Sequence, residues 1–130
     1  ITQLERIEGL ENKQETAPQF INIILELDEY FSGKRKEFDI PVETSGTVFQ
    51  ERVWKELLYI PYGQTISYSE LAERIRNPFA ARAVGNALAA NPIPIIIPCH
   101  RIITASGKSG SYALGPEVKK YLLELETKNR

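Results

Sequence analysis

The stretch ISYSELAERIRNPFAARAVGNALAANP, residues 66–92, decides the fold. Ser67 and Glu70 have the spacing of a helix capping box, so a short helix is expected to begin after Ser67. Asn77 and Pro78 interrupt this helix and predict the cap and the first position of another. Two short helices joined by a tight turn are typical of a helix-turn-helix, although a plain helical hairpin fits the same spacing.

The second helix of this pair, predicted over residues 79–90, carries few side chains that could read bases. At 100° per residue, Val84 and Leu88 define its buried side. A helix that reads sequence in the major groove normally presents several polar side chains. This face therefore suits close approach to a DNA backbone or a shallow groove better than sequence readout. The exposed side consists of Arg82, Asn86 and Ala89.

Two more helices are predicted on the amino-terminal side. Thr47 and Gln50 repeat the capping-box spacing, and the helix that they start ends before the turn IPYGQT. Further upstream, an apolar stripe predicts a helix over about residues 18–32 that is terminated by Gly33. The apolar faces are Phe49, Val53, Trp54 and Leu57 in the later helix, and Phe20, Ile23, Ile24, Leu27 and Phe31 in the earlier one.

Downstream, the segment IIIPCHRII places the only cysteine, Cys99, beside the only histidine, His100. A lone cysteine in an apolar run is more often a packed side chain than a nucleophile. A neighbouring histidine can nevertheless take the proton of a thiol, and the thiolate is the reactive species. Pro94 and Pro98 predict an extended path, on which successive side chains point to opposite sides. The pair would then need a bridging water.

A last helix is predicted from Pro116, after the glycine-rich loop TASGKSGSYALG. Glu126 lies at the edge of its apolar stripe and Glu124 points away, so Glu126 is the carboxylate expected to be half-buried. Glu126 could then orient His100 and stabilise its charge, as in a Cys-His-acid relay. The stripe expected to face the core consists of Val118, Tyr121, Leu122 and Leu125.

Composition limits the class of protein. The chain has 130 residues, 42% of them hydrophobic, which is enough for a compact domain with a core. Neither a membrane-spanning run nor a secretory signal is recognisable, so a cytoplasmic protein is expected, or a nuclear one in a eukaryote, with no membrane partner. The protein is also expected to be a monomer. One cysteine and one histidine cannot form a four-ligand zinc site, and neither a metal nor a cofactor is expected.

The net charge of −1 is unevenly distributed along the chain. Residues 1–79 carry 9 Lys and Arg against 14 Asp and Glu, whereas residues 80–130 carry 7 against 3. The part that holds the Cys-His pair is therefore the basic part. This asymmetry permits a local phosphate-binding face there.

Several motifs occur together in the order of a known family. ISYSELA, ARAVGNAL, NPIPIII, PCHR and SYALG, within about residues 47–126, resemble the O6-alkylguanine-DNA alkyltransferases, also called methylated-DNA-protein cysteine methyltransferases. The resemblance implies a mainly α, helix-turn-helix (winged-helix-like) domain over residues 46–130 that is both DNA-binding and catalytic. Members flip O6-alkylguanine out of double-stranded DNA and transfer the alkyl group irreversibly to their own cysteine. Each molecule acts once.

The resemblance also implies a role for each chemical group. Cys99 would accept the alkyl group. His100 would act as its base through a water, with Glu126 as the partner of the histidine. Tyr68 would donate a proton to the departing guanine, and Arg82 would enter from the minor groove to fill the space of the flipped nucleotide.

Further positions match the family pattern around the pocket. Asn91 would tie the helix-turn-helix to the cysteine segment, and Tyr112 would line the base pocket. Arg101 completes the motif and is expected to be structural. Ala113 stands where some relatives have serine, so a hydrogen bond to the guanine oxygen would have to come from backbone N–H groups, which leaves the range of alkyl groups open. Small or short residues expected against the minor groove are Asn86 and Ala89.

Residues 1–45 depart from the family pattern. Relatives usually carry an amino-terminal domain with a β-sheet, so a short or trimmed α/β region is expected here, in keeping with the absence of methionine. Two other functions stay open: a non-catalytic lesion-binding protein of the alkyltransferase-like type, which has another residue in place of Cys99, and a cysteine hydrolase, which would need an oxyanion hole. A plain helix-turn-helix regulator is disfavoured by the sparse base-reading face.

Overall fold

The computed structural model describes residues 17–107, 110 and 112–130. The chain divides into two compact units, Ile1–Val42 and Glu43–Arg130. Residues 1–16, which belong to the predicted amino-terminal α/β region, lie outside the described residues. The described part of the first unit contains one helix, α1 (Ala17–Phe31).

The stripe predicted for α1 is correct only in part. Among the described side chains of the helix, Tyr30, which lies outside the predicted stripe, is buried, whereas Ile24 and Phe31 are exposed. Gly33 adopts a left-handed conformation with φ of 80° and turns the chain back, as predicted. The returning chain places the ring of Phe38 5.5 Å from that of Tyr30, and this contact explains why Tyr30 is covered.

The second unit is mainly helical, which confirms the predicted fold class. Its two short strands pair in parallel, with Ile66 opposite Ile102 and Ser67 opposite Ile103. This pairing brings the helix that begins at Tyr68 beside the end of the cysteine segment. The elements are α2 (Val48–Leu57), β1 (Ile66–Ser67), α3 (Tyr68–Arg74), α4 (Ala81–Ala89), a 3-10 turn (Cys99–Arg101), β2 (Ile102–Ile103) and α5 (Pro116–Asn129).

Both predicted helix starts are capped by the expected side chains. Thr47 and Gln50 form the complete reciprocal capping box of α2. Ser67 accepts a hydrogen bond from the backbone N–H of Glu70 at 3.1 Å and caps α3. The indole N–H of Trp54 donates to the carbonyl oxygen of Ala87 at 2.8 Å, which fixes α2 against α4.

The predicted start of α4 was wrong, because Asn77 terminates α3. Arg76 has a φ of 61°, its N–H bonds to the carbonyl of Glu73, and the Asn77 N–H bonds to that of Ala72. This is a Schellman motif, and it leaves Asn77 outside α4. The Ala80 N–H then closes a turn on the Asn77 carbonyl, so α4 begins at Ala81 without a side-chain cap. Val84 and Leu88 are buried as predicted.

The orientation of α5 also differs from the prediction. Val118 and Tyr121, expected in the core, are exposed. Of the predicted stripe, Leu122 alone is fully buried, and the inward face combines it with two ionisable residues, Lys119 and Glu126. The helix is therefore rotated so that charged groups point into the second unit.

The core of the second unit lies between α2, α3, α4 and the segment that follows α4. Within the described residues, no helix has the length and apolar character required to cross a membrane. The apolar residues buried most completely are Val53, Leu57, Ile60, Leu71, Ala72, Val84, Ala87, Ile97, Ile102 and Leu122.

Candidate active site

Cys99 lies at the first position of the 3-10 turn and is buried. The extended path predicted for this segment was wrong. The Cys99 N–H bonds to the carbonyl of Ile97 at 2.8 Å, and Pro98 has a φ of −82° and a ψ of 63°, which is an inverse γ-turn. Successive residues of a 3-10 helix are about 120° apart, so the Cys99 and His100 side chains still diverge.

Backbone strain precedes the cysteine. Ile95 has a φ of 79°, a conformation that is costly for a β-branched side chain. The N–H of Ile97 bonds to the carbonyl of Ile93 at 3.0 Å across this turn. Strained residues of this kind persist where the surrounding structure holds them, and they concentrate at functional sites.

Asn91 connects the end of α4 to the cysteine. Its side-chain N–H group donates to the sulfur of Cys99 at 3.1 Å and to the carbonyl of Ile97 at 2.8 Å. Its side-chain oxygen accepts from the N–H of Ile93 at 2.9 Å. The buried amide therefore orients the sulfur and stabilises negative charge on it. This placement agrees with the tie between helix and cysteine segment that the family resemblance implies.

His100 and Glu126, 26 residues apart in sequence, are in direct contact. Nε2 of His100 lies 2.6 Å from Oε2 of Glu126, and the two side chains are 0% and 1% exposed. Because an ionised carboxylate only accepts, Nε2 carries the proton and Nδ1 is the unprotonated nitrogen of the neutral ring. Nδ1 is buried and has no hydrogen-bond partner among the described residues.

Arg101 completes this cluster. Its guanidinium donates to both oxygens of Glu126, at 2.9 and 3.0 Å, and to the carbonyl of Ile60 at 2.7 Å. The backbone N–H of Gly63 donates to the same carboxylate at 3.1 Å. Besides His100, donors from Arg101 and Gly63 thus hold the Glu126 carboxylate. Buried charges of this kind are tolerated when they are paired and hydrogen-bonded.

Burial and charge set the protonation states of the cluster. Burial raises the pKa of Cys99, and the hydrogen bond from Asn91 only partly offsets this. Burial lowers the pKa of His100 despite its contact with Glu126. Burial also favours the neutral acid at Glu126, but hydrogen bonds from His100 and Arg101 hold its pKa at about 2. Near neutral pH the site therefore contains a thiol, a neutral imidazole and a carboxylate.

Lys119 is a residue of this site that sequence reasoning missed. It is fully buried, and its ammonium donates to the carbonyl of Ile102 at 2.5 Å, immediately after the 3-10 turn. Burial lowers the pKa of Lys119, whereas interaction with a Cys99 thiolate raises it. The charge of Lys119 therefore favours the thiolate form of the cysteine. Lys119 lies three residues before Leu122 and seven before Glu126, so helical spacing places it on the same face of α5 as these two residues. This spacing is the sequence signal that indicates its burial.

A small cavity of about 110 Å³ leads to the sulfur. The ring of Tyr112 packs edge-on against that of His100, with centroids 6.4 Å apart. Burial raises the pKa of Tyr112, so its hydroxyl stays protonated. Gly110 has a φ of 76°, and a Cβ there would lie 3.0 Å from the hydroxyl oxygen of Tyr68. The lining residues are Tyr68, Gly85, Leu88, Ala89, Cys99, Tyr112 and Ala113.

The face of α4 predicted to meet DNA is exposed. Gly85, in the middle of the helix, has no atom within 4 Å of the place where a Cβ would lie, which leaves the cavity mouth open. The exposed predicted residues are Arg82, Asn86 and Ala89.

Among the described residues, no group of three or more His, Cys, Asp or Glu side chains could hold a metal ion.

The fold and the site define a helix-turn-helix protein with a buried Cys-His-Glu cluster at the end of a cavity. Two family models match the chain: "6-O-methylguanine DNA methyltransferase, DNA binding domain" over residues 48–128, and "6-O-methylguanine DNA methyltransferase, ribonuclease-like domain" over residues 2–44. The chain belongs to the 6-O-methylguanine DNA methyltransferase family. This confirms the family resemblance of the sequence motifs.

Individual relatives agree with this assignment. The methylated-DNA–protein-cysteine methyltransferase of Methanosarcina mazei is 52% identical over 110 residues, which cover 85% of this chain and 70% of the relative. The protein of the same name from Mycobacterium bovis is 54% identical over 107 residues, covering 82% and 65%. The crystal structure of Mycobacterium tuberculosis OGT in complex with DNA has a TM-score of 0.83 at 53% identity, covering 85% and 68%. The chain thus spans about two thirds of the length of these relatives.

Proposed function

We propose that this chain is a DNA repair protein that transfers an alkyl group, typically methyl, from O6 of guanine to the sulfur of Cys99. The observation that carries the proposal is the buried thiol at the end of a cavity, bonded to Asn91 and adjacent to a His100–Glu126 pair. The names of the relatives support the same reaction. Because a thioether is stable in water, the transfer is irreversible and each molecule acts once.

His100 is the general base in this proposal. A thiol with a raised pKa needs one, and Nδ1 of neutral His100 can accept the proton. Because the two side chains diverge along the 3-10 turn, the proton passes through a bridging water. Glu126 then stabilises the imidazolium that forms. The thiolate remains, supported by the amide of Asn91 and the charge of Lys119.

The transfer itself is a displacement at the alkyl carbon. The thiolate forms the new S–C bond as the C–O6 bond breaks, and the electron pair of that bond stays on the guanine. Tyr68, at the cavity wall, donates a proton to the departing base. Tyr112 and Ala113 line the space for the purine. The proposed transfer uses no metal ion and no cofactor.

Double-stranded DNA containing O6-alkylguanine is the proposed partner. Because the sulfur is buried at the end of a cavity of about 110 Å³, the modified base must leave the stack to reach it, and the nucleotide is flipped at a cost of a few kcal/mol. Arg82 enters from the minor groove and fills the space that the nucleotide leaves, while Asn86 and Ala89 allow close approach without sequence readout. We propose that the protein acts as a monomer, in the cytoplasm or, in a eukaryote, in the nucleus.

Intact-mass analysis tests this function directly. The protein is incubated with duplex DNA containing O6-methylguanine, and a parallel sample receives the same duplex with unmodified guanine. We expect one added methyl group per protein molecule, mapped to Cys99 by peptide sequencing, only with the damaged duplex. Conversion of more than one equivalent of O6-methylguanine to guanine within the duplex would indicate a turning-over hydrolase, and tight binding without a mass change would indicate a lesion-binding protein.

Replacing Arg82 separates flipping from chemistry. We expect Arg82→Ala to slow repair of the damaged duplex by roughly tenfold or more, because nothing then fills the space of the flipped nucleotide. Its reaction with the free O6-methylguanine base should be unchanged, since that substrate needs no flipping. Single-turnover rates on both substrates, compared with those of Arg74→Ala outside α4, measure the difference. Equal losses on duplex and free base would contradict the flipping role.

A further inference from the structure

Phe79 is the most exposed large apolar residue of the described chain, at 97%. It lies in the turn between α3 and α4, which is closed by the bond from the Ala80 N–H to the Asn77 carbonyl and stiffened by Pro78. The ring is therefore presented on a short, fixed loop. It does not line the cavity that leads to Cys99.

Charged residues flank this ring at equal distances along the chain. Arg76 and Arg82 lie three residues before and after Phe79, and both are exposed. Neither guanidinium forms an ion pair with another residue in the part of the chain that the structure describes. Immediately after the loop, α4 presents its small exposed residues. This arrangement is complementary to duplex DNA. The two guanidinium groups can pair with phosphates, and the aromatic ring between them can pack against the apolar sugars and base faces that the phosphates border.

We propose that Phe79 is a second DNA-inserting residue, which packs into the minor groove of the damaged duplex beside Arg82 and supports the distortion needed for flipping. This proposal rests on the proposed function of the site. Apolar side chains inserted from the minor groove partially unstack base steps and bend the duplex. On one side of the inserted ring Arg76 would contact a phosphate, and on the other side Arg82 would fill the space of the flipped nucleotide.

A salt series tests this proposal. Binding of duplex DNA containing O6-methylguanine is measured by fluorescence anisotropy for the full chain and for Phe79→Ala and Phe79→Lys. We expect Phe79→Ala to raise Kd and slow duplex repair by about tenfold, with the slope of log K against log salt unchanged, because an apolar contact releases no counterions. Phe79→Lys should bind more tightly at low salt than Phe79→Ala and steepen the slope by about one.

Controls make the outcome decisive. All three proteins should react equally with the free O6-methylguanine base, so a failure of the proposed function, seen as no methyl transfer by the wild type, is distinct from a failure at Phe79. Tyr121→Ala removes another exposed aromatic ring, 52% exposed and on α5, and should leave Kd unchanged. Wild-type Kd and repair rate for Phe79→Ala would overturn the proposal. So would a concentration-dependent dimer that Phe79→Ala dissolves while duplex repair is unaffected.

A spectroscopic variant detects the contact itself. The only native tryptophan, Trp54, is buried, so its emission should change little when DNA binds. In Phe79→Trp, an indole that stacks in the duplex should be quenched on addition of damaged DNA. Emission that stays the same at saturating duplex would exclude contact between this residue and DNA.

Discussion

Cys99→Ala is expected to abolish methyl transfer completely while leaving affinity for damaged duplex DNA within about threefold of wild type. Cys99 carries the only thiol of the sequence, and it lies at the cavity, where it can form the new bond to carbon. Residues proposed to contact DNA lie on α4 and the loop before it, and Cys99 is held separately by Asn91. Intact mass and anisotropy, measured on the same preparation, test both halves of this result.

Cys99→Ser provides the matched control, because it keeps a polar group beside the amide of Asn91. A serine hydroxyl has a far higher pKa than a thiol and is a weaker nucleophile, and His100, whose side chain diverges from that of residue 99, does not take its proton directly. We therefore expect the same loss of transfer with an unchanged fold by circular dichroism. Methylation of either variant at another residue, at the wild-type rate, would show that the acceptor had been misassigned.

Local signals in the sequence predicted the helix-turn-helix well. Thr47 and Ser67 act through hydrogen bonds to residues three positions away, so their effect is visible in a short window. The pairing of Ile66 with Ile102 was not predictable in this way. It joins two-residue strands 36 positions apart, and no periodicity marks a strand so short.

The start of α4 shows how two local signals can compete. Asn77 followed by Pro78 is typical of a helix start and predicts one. The same Asn77 N–H completes the Schellman motif of α3, which requires Arg76 in the left-handed region that usually favours glycine. Because position 76 is an arginine and not a glycine, the sequence does not indicate a Schellman motif there. As a result Phe79 falls in the loop.

The rotation of α5 brings two ionisable residues to the cysteine. A stripe of apolar residues normally marks the buried face of a helix, and Val118 and Tyr121 fit that rule. In this helix the inward face instead delivers Lys119 and Glu126 to the Cys99 turn, and their charges are compensated by hydrogen bonds that only the fold reveals. The angular proximity of Glu126 to Leu122 predicts a half-buried carboxylate, whereas in the structure Glu126 is fully buried and lies at the centre of the buried face.

Glu126→Gln is expected to slow methyl transfer by about 100-fold or more near neutral pH. The carboxylate raises the pKa of His100 and would stabilise the imidazolium, and a neutral amide does neither. It also leaves Arg101 buried without its counter-charge, which should destabilise the fold by about 3–5 kcal/mol. Single-turnover repair rates and urea unfolding measure the two effects, with rates taken at a temperature where the variant is folded.

The pH dependence of stability gives a second signature of Glu126. Its pKa of about 2 in the folded protein lies below the ordinary value of 4.5. For a carboxyl group with a depressed folded-state pKa, the stabilising contribution is present above the ordinary value and is lost as pH falls through the folded value. The wild type should therefore lose stability between about pH 4.5 and 2 more steeply than Glu126→Gln, which has no carboxyl group to protonate at this site.

Two comparisons separate a role in proton transfer from a purely structural one. Glu124→Gln removes an exposed carboxylate from the same helix and should change stability by no more than about 0.5 kcal/mol and the repair rate not at all. If Glu126 acts through His100, the deficit of Glu126→Gln should narrow as pH rises, because direct ionisation of the Cys99 thiol then replaces the base. A deficit that is constant with pH would show that the carboxylate only holds Arg101 and the fold in place.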